Sequence, residues 1–195
     1  MRIVAGAWRG RRLTAPEGQG TRPTADRVRQ ALFDMLLHAP WGGRAVIEGA
    51  VVLDAFAGTG ALGLEALSRG AASACFMESD PAALKALRAN ISACGAQGRA
   101  VVLAGDLLQG TERGGPRPAA MAGAALPAAG LVFLDPPYRQ DLAPQALRHL
   151  RQTGRIAPGA LVIAETAAEE AWLPEEPLLA ERRHGAARVV IFRIG

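Results

Sequence analysis

Four consecutive residues, Asp135-Pro136-Pro137-Tyr138, place a carboxylate, a carbonyl and an aromatic ring side by side with little freedom between them. Two successive prolines fix φ and remove two backbone donors, leaving the Pro136 carbonyl free to accept. Asp135 adds a second acceptor and Tyr138 a stacking face. Such a set suits a planar ring carrying an NH2 group: the acceptors take both amine hydrogens while the rings stack. The nitrogen lone pair is then aimed at whatever electrophile lies beyond. Taken alone, the same residues also read as a rigid turn at a strand exit.

The electrophile needs a site of its own. About eighty residues earlier runs Asp54-Ala55-Phe56-Ala57-Gly58-Thr59-Gly60-Ala61-Leu62-Gly63, between an apolar strand and a helical segment. Glycines there let a backbone approach a ligand and turn tightly into a helix N-terminus. Gly58–Gly63 has the GxGxxG spacing of a dinucleotide site, which by itself is weak. Asp54, four residues ahead of Gly58, tilts the reading. A carboxylate suits the cationic amino group of a methionine moiety and sits poorly beside a pyrophosphate. Glu78, twenty residues after Gly58, can accept both ribose hydroxyls, and Asp106 follows the third strand where it can hold an adenine amine. Together these residues point to S-adenosylmethionine as cofactor. A sulfonium methyl is already strongly electrophilic, so the amine pocket needs no strong base. Positioning supplies roughly 7–11 kcal/mol in well-oriented pairs, and Asp135 can take up the final proton.

Alternating elements must position these groups. Apolar strands are expected at Val51-Val52-Leu53, with Asp54 at the strand end, and at Ser73–Met77, Ala100–Leu103, Leu131–Leu134 and Leu161–Ala164. Helices are expected at Ala61–Arg69, from Asp80-Pro81 to Cys94 with Gly95 as the stop, and at Leu142–Gln152. This alternation gives an α/β fold with a parallel sheet. The tail differs, because Leu178–Arg183 and Arg188–Ile194 flank a short turn and read as an antiparallel hairpin at the sheet edge. At the other end, Arg2–Ala5 and Arg11–Thr14 fit a small hairpin, followed by a polar connection at Glu17–Arg22. A helix follows, with Thr24 and Asp26 as N-cap candidates, apolar positions from Val28 to Leu36, and an end near Pro40. Glu112–Gly130, rich in Ala, Gly and Pro, reads as a surface insertion.

Charge is unevenly spread. The chain of 195 residues has net charge +4, yet residues 1–44 alone carry eight arginines against three acids, so the remainder is slightly acidic. A basic N-terminal segment on a near-neutral body is the asymmetry expected of a nucleic-acid-facing surface. Cys75 and Cys94 stand apart without a CxxC or a His-rich context, so no metal site is expected. No apolar run of membrane-spanning length and no apolar signal core occurs, so the expected place is the cytoplasm, without a membrane partner.

At this point the chain resembles a known family, the RsmD-type 16S ribosomal RNA guanine-N2 methyltransferases. The likeness runs through Arg2–Arg11, through Arg22-Pro23-Thr24-Ala25-Asp26-Arg27-Val28-Arg29 with Ala31-Leu32-Phe33, and through Leu53–Gly70, Asp135–Tyr138 and the Gly185–Arg193 tail. It implies a class I S-adenosylmethionine-dependent methyltransferase fold: Rossmann-like, with a seven-stranded, mostly parallel sheet and an antiparallel C-terminal hairpin. Residues 1–45 would form a basic hairpin-and-helix extension of a compact methyltransferase domain at 46–195. The implied reaction is methylation of N2 of one guanine in 16S rRNA, within an assembling small subunit, by a monomer. Asp54, Phe56, Gly58 and Gly60 would line the methionine and ribose, with Glu78 on the ribose and Asp106 on the adenine. Asp135, Pro136, Pro137 and Tyr138 would hold the flipped guanine, while Arg9, Arg11, Arg22 and Arg27 would contact RNA phosphates or order the cofactor pocket. The length of Glu112–Gly130 is the main departure from the family pattern.

Four other functions share parts of this pattern. An adenine-N6 methyltransferase would use the same pocket logic but wants a target-recognition domain, which 195 residues do not show. A protein glutamine methyltransferase fits the amide but not the arginine excess. An NAD-dependent dehydrogenase fits Gly58–Gly63 and Glu78 and leaves Asp135–Tyr138 unexplained. A non-catalytic RNA-binding assembly factor has no use for a complete pocket.

Overall fold

The computed structural model describes residues 1–16, 23–108, 113–114, 126–137 and 141–195. Short runs of Val, Leu, Ile and Ala, apolar on both faces, form five parallel strands, as expected of a sheet covered on both sides. They are β1 (Val51–Ala55), β2 (Ser73–Glu78), β3 (Ala100–Ala104), β5 (Ala129–Leu134) and β6 (Ile156–Ala167). The hairpin of β7 (Leu178–His184) and β8 (Ala187–Arg193) adds antiparallel through β8 to β6. These seven strands match the expectation. A two-residue β4 (Arg113–Gly114) lies antiparallel on β3 and extends the order to β4-β3-β2-β1-β5-β6-β8-β7.

Side chains alternate between two apolar layers. Val52, Phe76, Phe133 and Ile163 face α1 (Pro23–His38), α2 (Ala61–Ser68) and α3 (Pro81–Cys94). Leu53, Met77, Val132 and Val162 face α4 (Leu142–Gln152) on the other side. Because α2 and α3 cover one face and α4 the other, the topology reverses between β1 and β5. Ligands of open α/β sheets bind beyond the carboxyl ends at this point.

Local signals set most boundaries. Asp80 caps α3 by accepting from the Ala83 N–H at 2.7 Å, and Gly95 ends it in the left-handed region. Other expectations need correction. Asp54 is not at a strand end but within β1, because pairing to Phe76 and Phe133 on either side carries the strand through it to Ala55. Similarly, β6 outruns Leu161–Ala164 because β8 pairs with it as far as Ala167. Thr24 and Asp26 are not N-caps: α1 opens at Pro23, whose fixed φ suits a first helical position. Of the expected insertion, Arg113–Gly114 and Ala129–Gly130 belong to strands, while residues 112 and 115–125, like the connection at 17–22, lie outside the described residues. Among the described residues no helix is long and apolar enough to cross a membrane.

The N-terminal arm is joined to the body through a buried carboxylate. Main-chain bonds from Ile3 to Arg11, Gly10 to Ile3 and Leu13 to Met1 draw the arm into a hairpin around a 3-10 turn at Gly6–Trp8. Gly6 takes φ +80°, and a Cβ there would fall 1.9 Å from the Ser68 carbonyl oxygen, so only glycine permits this seat on α2. Glu65 of α2 is fully buried and accepts from the Val4 and Ala5 N–H groups at 2.7 and 2.9 Å. Arg69 pairs with it at 2.8 Å, and Arg29 of α1 approaches to 3.6 Å. Arg29 also donates to the Arg2 carbonyl and to Asp26. Ser68 and Asn90 extend the seam. Ser68 Oγ accepts from Trp8 N–H and donates to the Ala5 carbonyl, and the Asn90 amide exchanges two bonds with the Thr14 backbone.

Removing one partner of a buried ionic set leaves the others desolvated and unpaired. Glu65→Ala is therefore expected to cost about 3–5 kcal/mol, read as a lower urea midpoint with a two-state transition. A cost below about 1 kcal/mol, typical of a surface pair, would show that the arm is held by its apolar contacts instead.

Candidate active site

The cofactor loop is built by the turn from β1 into α2. Phe56 adopts φ +80°, rare for a residue with a side chain, while its N–H and that of Ala57 both donate to the Met77 carbonyl. The neighbouring strand thus supports the strained turn. Such outliers concentrate where a ligand is clamped. Three glycines then do different things. Gly58 takes φ +53° and has no atom within 4 Å of where its Cβ would point, so it leaves an open cradle. A Cβ on Gly60 or Gly63 would fall 2.4 Å from Leu87 or Phe76 respectively, so these two allow α2 to pack closely.

Carboxylates ring this cradle. Glu78 accepts from the Gly58 N–H at 2.7 Å through one oxygen and from the Ser79 and Asp80 N–H groups at 2.8 Å through the other. Asp106 accepts from the Leu108 N–H at 2.8 Å, closing a turn beyond β3. Asp54, only 2% exposed, accepts from the Gly63 N–H at 2.8 Å, near the N-terminus of α2. Burial pushes its carboxyl up from 3.8 to about 7; the Gly63 bond opposes this, and the Asp135 and Glu78 charges add to it. A buried carboxyl held so far upward gains from a cation placed against it. An amino acid ammonium group beside Asp54, with the Gly58 cradle and the Glu78 carboxylate alongside, therefore fits the methionine and ribose of S-adenosylmethionine.

The second half of the site lies across the switch point. β5 delivers Asp135 as the first residue beyond Leu134, and Leu134 is paired with Ala164 of β6. The next residues, Asp135 just beyond β5 and Glu165 within β6, stand level on adjacent parallel strands. By alternation both project to the face of Phe133 and Ile163. They line a cavity of about 820 Å³ roofed by Arg29 and Leu32 of α1 and walled by Leu62, Arg182 and His184. Asp135 keeps exposed surface through the cavity mouth. The surrounding protein and the Glu165 charge nevertheless raise its carboxyl above the ordinary range. Pro136 is buried and Pro137 exposed, while Tyr138 lies outside the described residues.

Sequence reasoning missed Glu165, Arg182, His184 and Arg29. Glu165 sits one residue past the expected end of β6, and a strand level with Asp135 would have exposed it. Arg182 and His184 reach the cavity only through hairpin register, with Arg182 opposite Val189, itself opposite Glu165. Arg29 was counted among surface arginines yet is 5% exposed.

The basic surface is partly as expected. Arg9, Arg11 and Arg27 are exposed. Arg2, Arg9, Arg12 and Arg27 line a groove of about 1120 Å³ between the arm and α1, and Arg11 stands outside it. Arg22 lies outside the described residues. The arm also touches the cofactor loop: Asn90 donates to the Thr59 carbonyl at 2.9 Å, and the Thr59 hydroxyl reaches the Met1 sulfur at 3.4 Å. Among the described residues no His, Cys, Asp or Glu cluster has the make-up of a metal site.

The raised Asp54 carboxyl has a measurable sign. Below 3.8 it is protonated in both folded and unfolded chains; above that the unfolded chain releases a proton the native state retains. Its contribution to stability thus falls as pH rises from 3.8 to about 7, and then levels off. Asp54→Asn keeps an acceptor for Gly63 and removes the titration. It is expected to flatten this part of the urea-midpoint profile and to raise stability above neutrality, whereas an unchanged profile would mean that Asp54 titrates normally.

Comparison with known proteins gives consistent matches. The model of the family described as Conserved hypothetical protein 95 matches residues 1–193. "Ribosomal RNA small subunit methyltransferase D" of Escherichia coli strain K12 is 40% identical over 177 residues, covering 91% of this chain and 79% of that protein. The protein of the same name from Haemophilus influenzae is 34% identical over 200 residues, covering 100% and 92%. The solved structure of yhhF from Escherichia coli superposes with a TM-score of 0.77 at 34% identity, covering 100% of this chain and 97% of that one.

Proposed function

Because the chain belongs to the family described as Conserved hypothetical protein 95, whose relatives above are named ribosomal RNA small subunit methyltransferases, we propose that it transfers a methyl group from S-adenosylmethionine to N2 of a guanine in 16S rRNA. The observation that carries this reading is the placement of Asp135, next to Pro136, at the end of β5, across the switch point from the Asp54–Gly63 loop. An amine acceptor and a cofactor cradle on adjacent strand ends are what amine methylation requires.

The chain's own residues do four things. Asp54 holds the ammonium of the methionine moiety, and the Phe56–Gly60 turn brings backbone against the ligand without a Cβ in the way. Glu78 accepts from a ribose hydroxyl through the oxygen that otherwise takes only the Gly58 N–H, and Asp106 holds the adenine. The cofactor supplies a methyl group on a sulfonium. Asp135 and the Pro136 carbonyl accept the two N2 hydrogens, Tyr138 stacks on the base, and the nitrogen lone pair is thereby aimed at the methyl carbon. After transfer the amine nitrogen sheds one proton, for which the Asp135 carboxylate is the adjacent acceptor. Catalysis is then mostly orientation.

Arg9, Arg11, Arg22 and Arg27 bind RNA phosphates, with residues 1–45 acting as an extension of the methyltransferase domain at 46–195. The protein works as a monomer in the cytoplasm, on RNA within an assembling small subunit. Nucleoside analysis of 16S rRNA from a strain lacking the gene, before and after treatment with purified enzyme and labelled cofactor, tests the assignment. Appearance of N2-methylguanosine is the expected result, and N6-methyladenosine would replace the reading.

Two substitutions separate the parts. Asp135→Ala is expected to lower methyl transfer by at least about a thousandfold, consistent with the loss of roughly 4 kcal/mol of orientation, while cofactor affinity by calorimetry stays within a few-fold. Full activity would remove Asp135 from the amine pocket. Arg9→Ala with Arg11→Ala is expected to weaken RNA binding and reduce the slope of log affinity against log salt by about 1.4 to 1.8. An unchanged slope would place the RNA surface elsewhere.

A further inference from the structure

We propose that Glu165 selects guanine as the base, its carboxylate accepting the N1–H beside the amine that Asp135 holds. The inference rests on the guanine-N2 reading above and adds the residue that enforces it.

Position comes first. Leu134 pairs with Ala164, so Asp135, just beyond β5, and Glu165, within β6, stand at one level on adjacent parallel strands, on the face lined by Phe133 and Ile163. Neighbouring strands lie about 4.8 Å apart. Adjacent donors on one base edge can therefore meet one carboxylate each. Both side chains line the same 820 Å³ cavity, whose roof and walls include the apolar Leu32, Leu62 and Phe133. The two negative charges act on each other, since Glu165 is one reason the Asp135 carboxyl is raised. A pair of N–H donors inserted between them relieves that repulsion.

Chemistry then distinguishes the bases. Guanine carries N1–H next to its exocyclic N2 amine, two donor groups in a row, with O6 beyond as an acceptor. Adenine carries an acceptor, N1, next to its exocyclic N6 amine. With the amine on Asp135, a carboxylate at Glu165 bonds guanine and faces a lone pair in adenine. The far wall completes the match. Arg182 lies in the same cross-strand row as Glu165, through Val189, and His184 lies one row on, through Ala187. Both are exposed to the cavity as donors on the side where O6 and N7 would lie. Acceptors thus stand against the donor edge of guanine and donors against its acceptor edge. Sites that hydrogen-bond a substrate group reject analogues lacking it far more strongly than apolar pockets do.

The test uses Glu165→Gln, an isosteric change, with small-subunit RNA in which the methylated guanine is replaced by 2-aminopurine or by inosine. Each RNA is assembled as the unsubstituted substrate requires. 2-Aminopurine keeps the amine but presents N1 as an acceptor; inosine keeps N1–H and O6 but has no amine. The wild-type protein is expected to prefer guanine over 2-aminopurine by at least about a hundredfold in kcat/KM, and to be inhibited by the inosine RNA. A glutamine can turn either its carbonyl or its amide toward N1. The variant is therefore expected to narrow the preference at least tenfold, partly by gaining activity on 2-aminopurine, and to lose inhibition by inosine, with cofactor affinity unchanged. An unchanged guanine preference in the variant, or an equal loss on both bases, overturns the proposal. Absence of N2 methylation by the wild-type protein overturns instead the function on which it rests.

Discussion

The structure depends on one buried carboxylate. Glu65 sits fully enclosed on α2, where it neutralises Arg69 and draws in Arg29 while taking the N–H groups of Val4 and Ala5. Without a charge there, two arginines from different helices would converge in an apolar layer beside Phe33, over whose ring Arg69 lies at 4.8 Å. With it, the hairpin, α1 and α2 share one anchor. That anchor fixes α1 as the roof of the cavity at Asp135, and holds the arm along the helix that begins at the cofactor loop. The seat of the basic arm and the shape of the cavity at Asp135 therefore have a common origin.

A second constraint comes from the sheet. Asp54, Asp135 and Glu165 project to one face toward the carboxyl side of three adjacent strands, Asp54 and Glu165 within β1 and β6 and Asp135 just beyond β5, as register and alternation dictate. Burying carboxylates this way is costly, and the upward shift of Asp54 and Asp135 shows it, desolvation contributing most and the neighbouring carboxylate charges adding to it. A ligand that brought a cation to one acid and N–H donors to the others would offset that cost. Such an arrangement is complementary in charge to a cation and N–H donors rather than to water.

How much of this was legible beforehand follows the range of the interactions involved. The caps of α3, Asp80 and Gly95, act within one turn and could be read directly, as could the bounds of α4 and the glycine loop. The register of β6 against β5 and β8 depends on strands far apart in the chain, so the strand's true length and Glu165 were not visible. Glu65 and Arg29 look like ordinary polar positions of amphipathic helices. Only the docking of the arm turns them inward. Asp54 was read at a strand end, whereas the pairing on both its sides places it within β1 and explains its burial. Tyr138 and Arg22, both singled out by motif, lie outside the described residues.

Asn90 carries a final consequence. One side-chain amide bonds Thr14 of the arm and Thr59 of the cofactor loop at the same time. Displacing the arm therefore disturbs the loop, and ordering the loop steadies the arm. Such thermodynamic coupling is reciprocal by necessity: whatever factor a ligand on the arm contributed to affinity at the loop, a ligand at the loop would return to affinity at the arm. A single uncharged side chain, indifferent to pH, thus ties the two segments together.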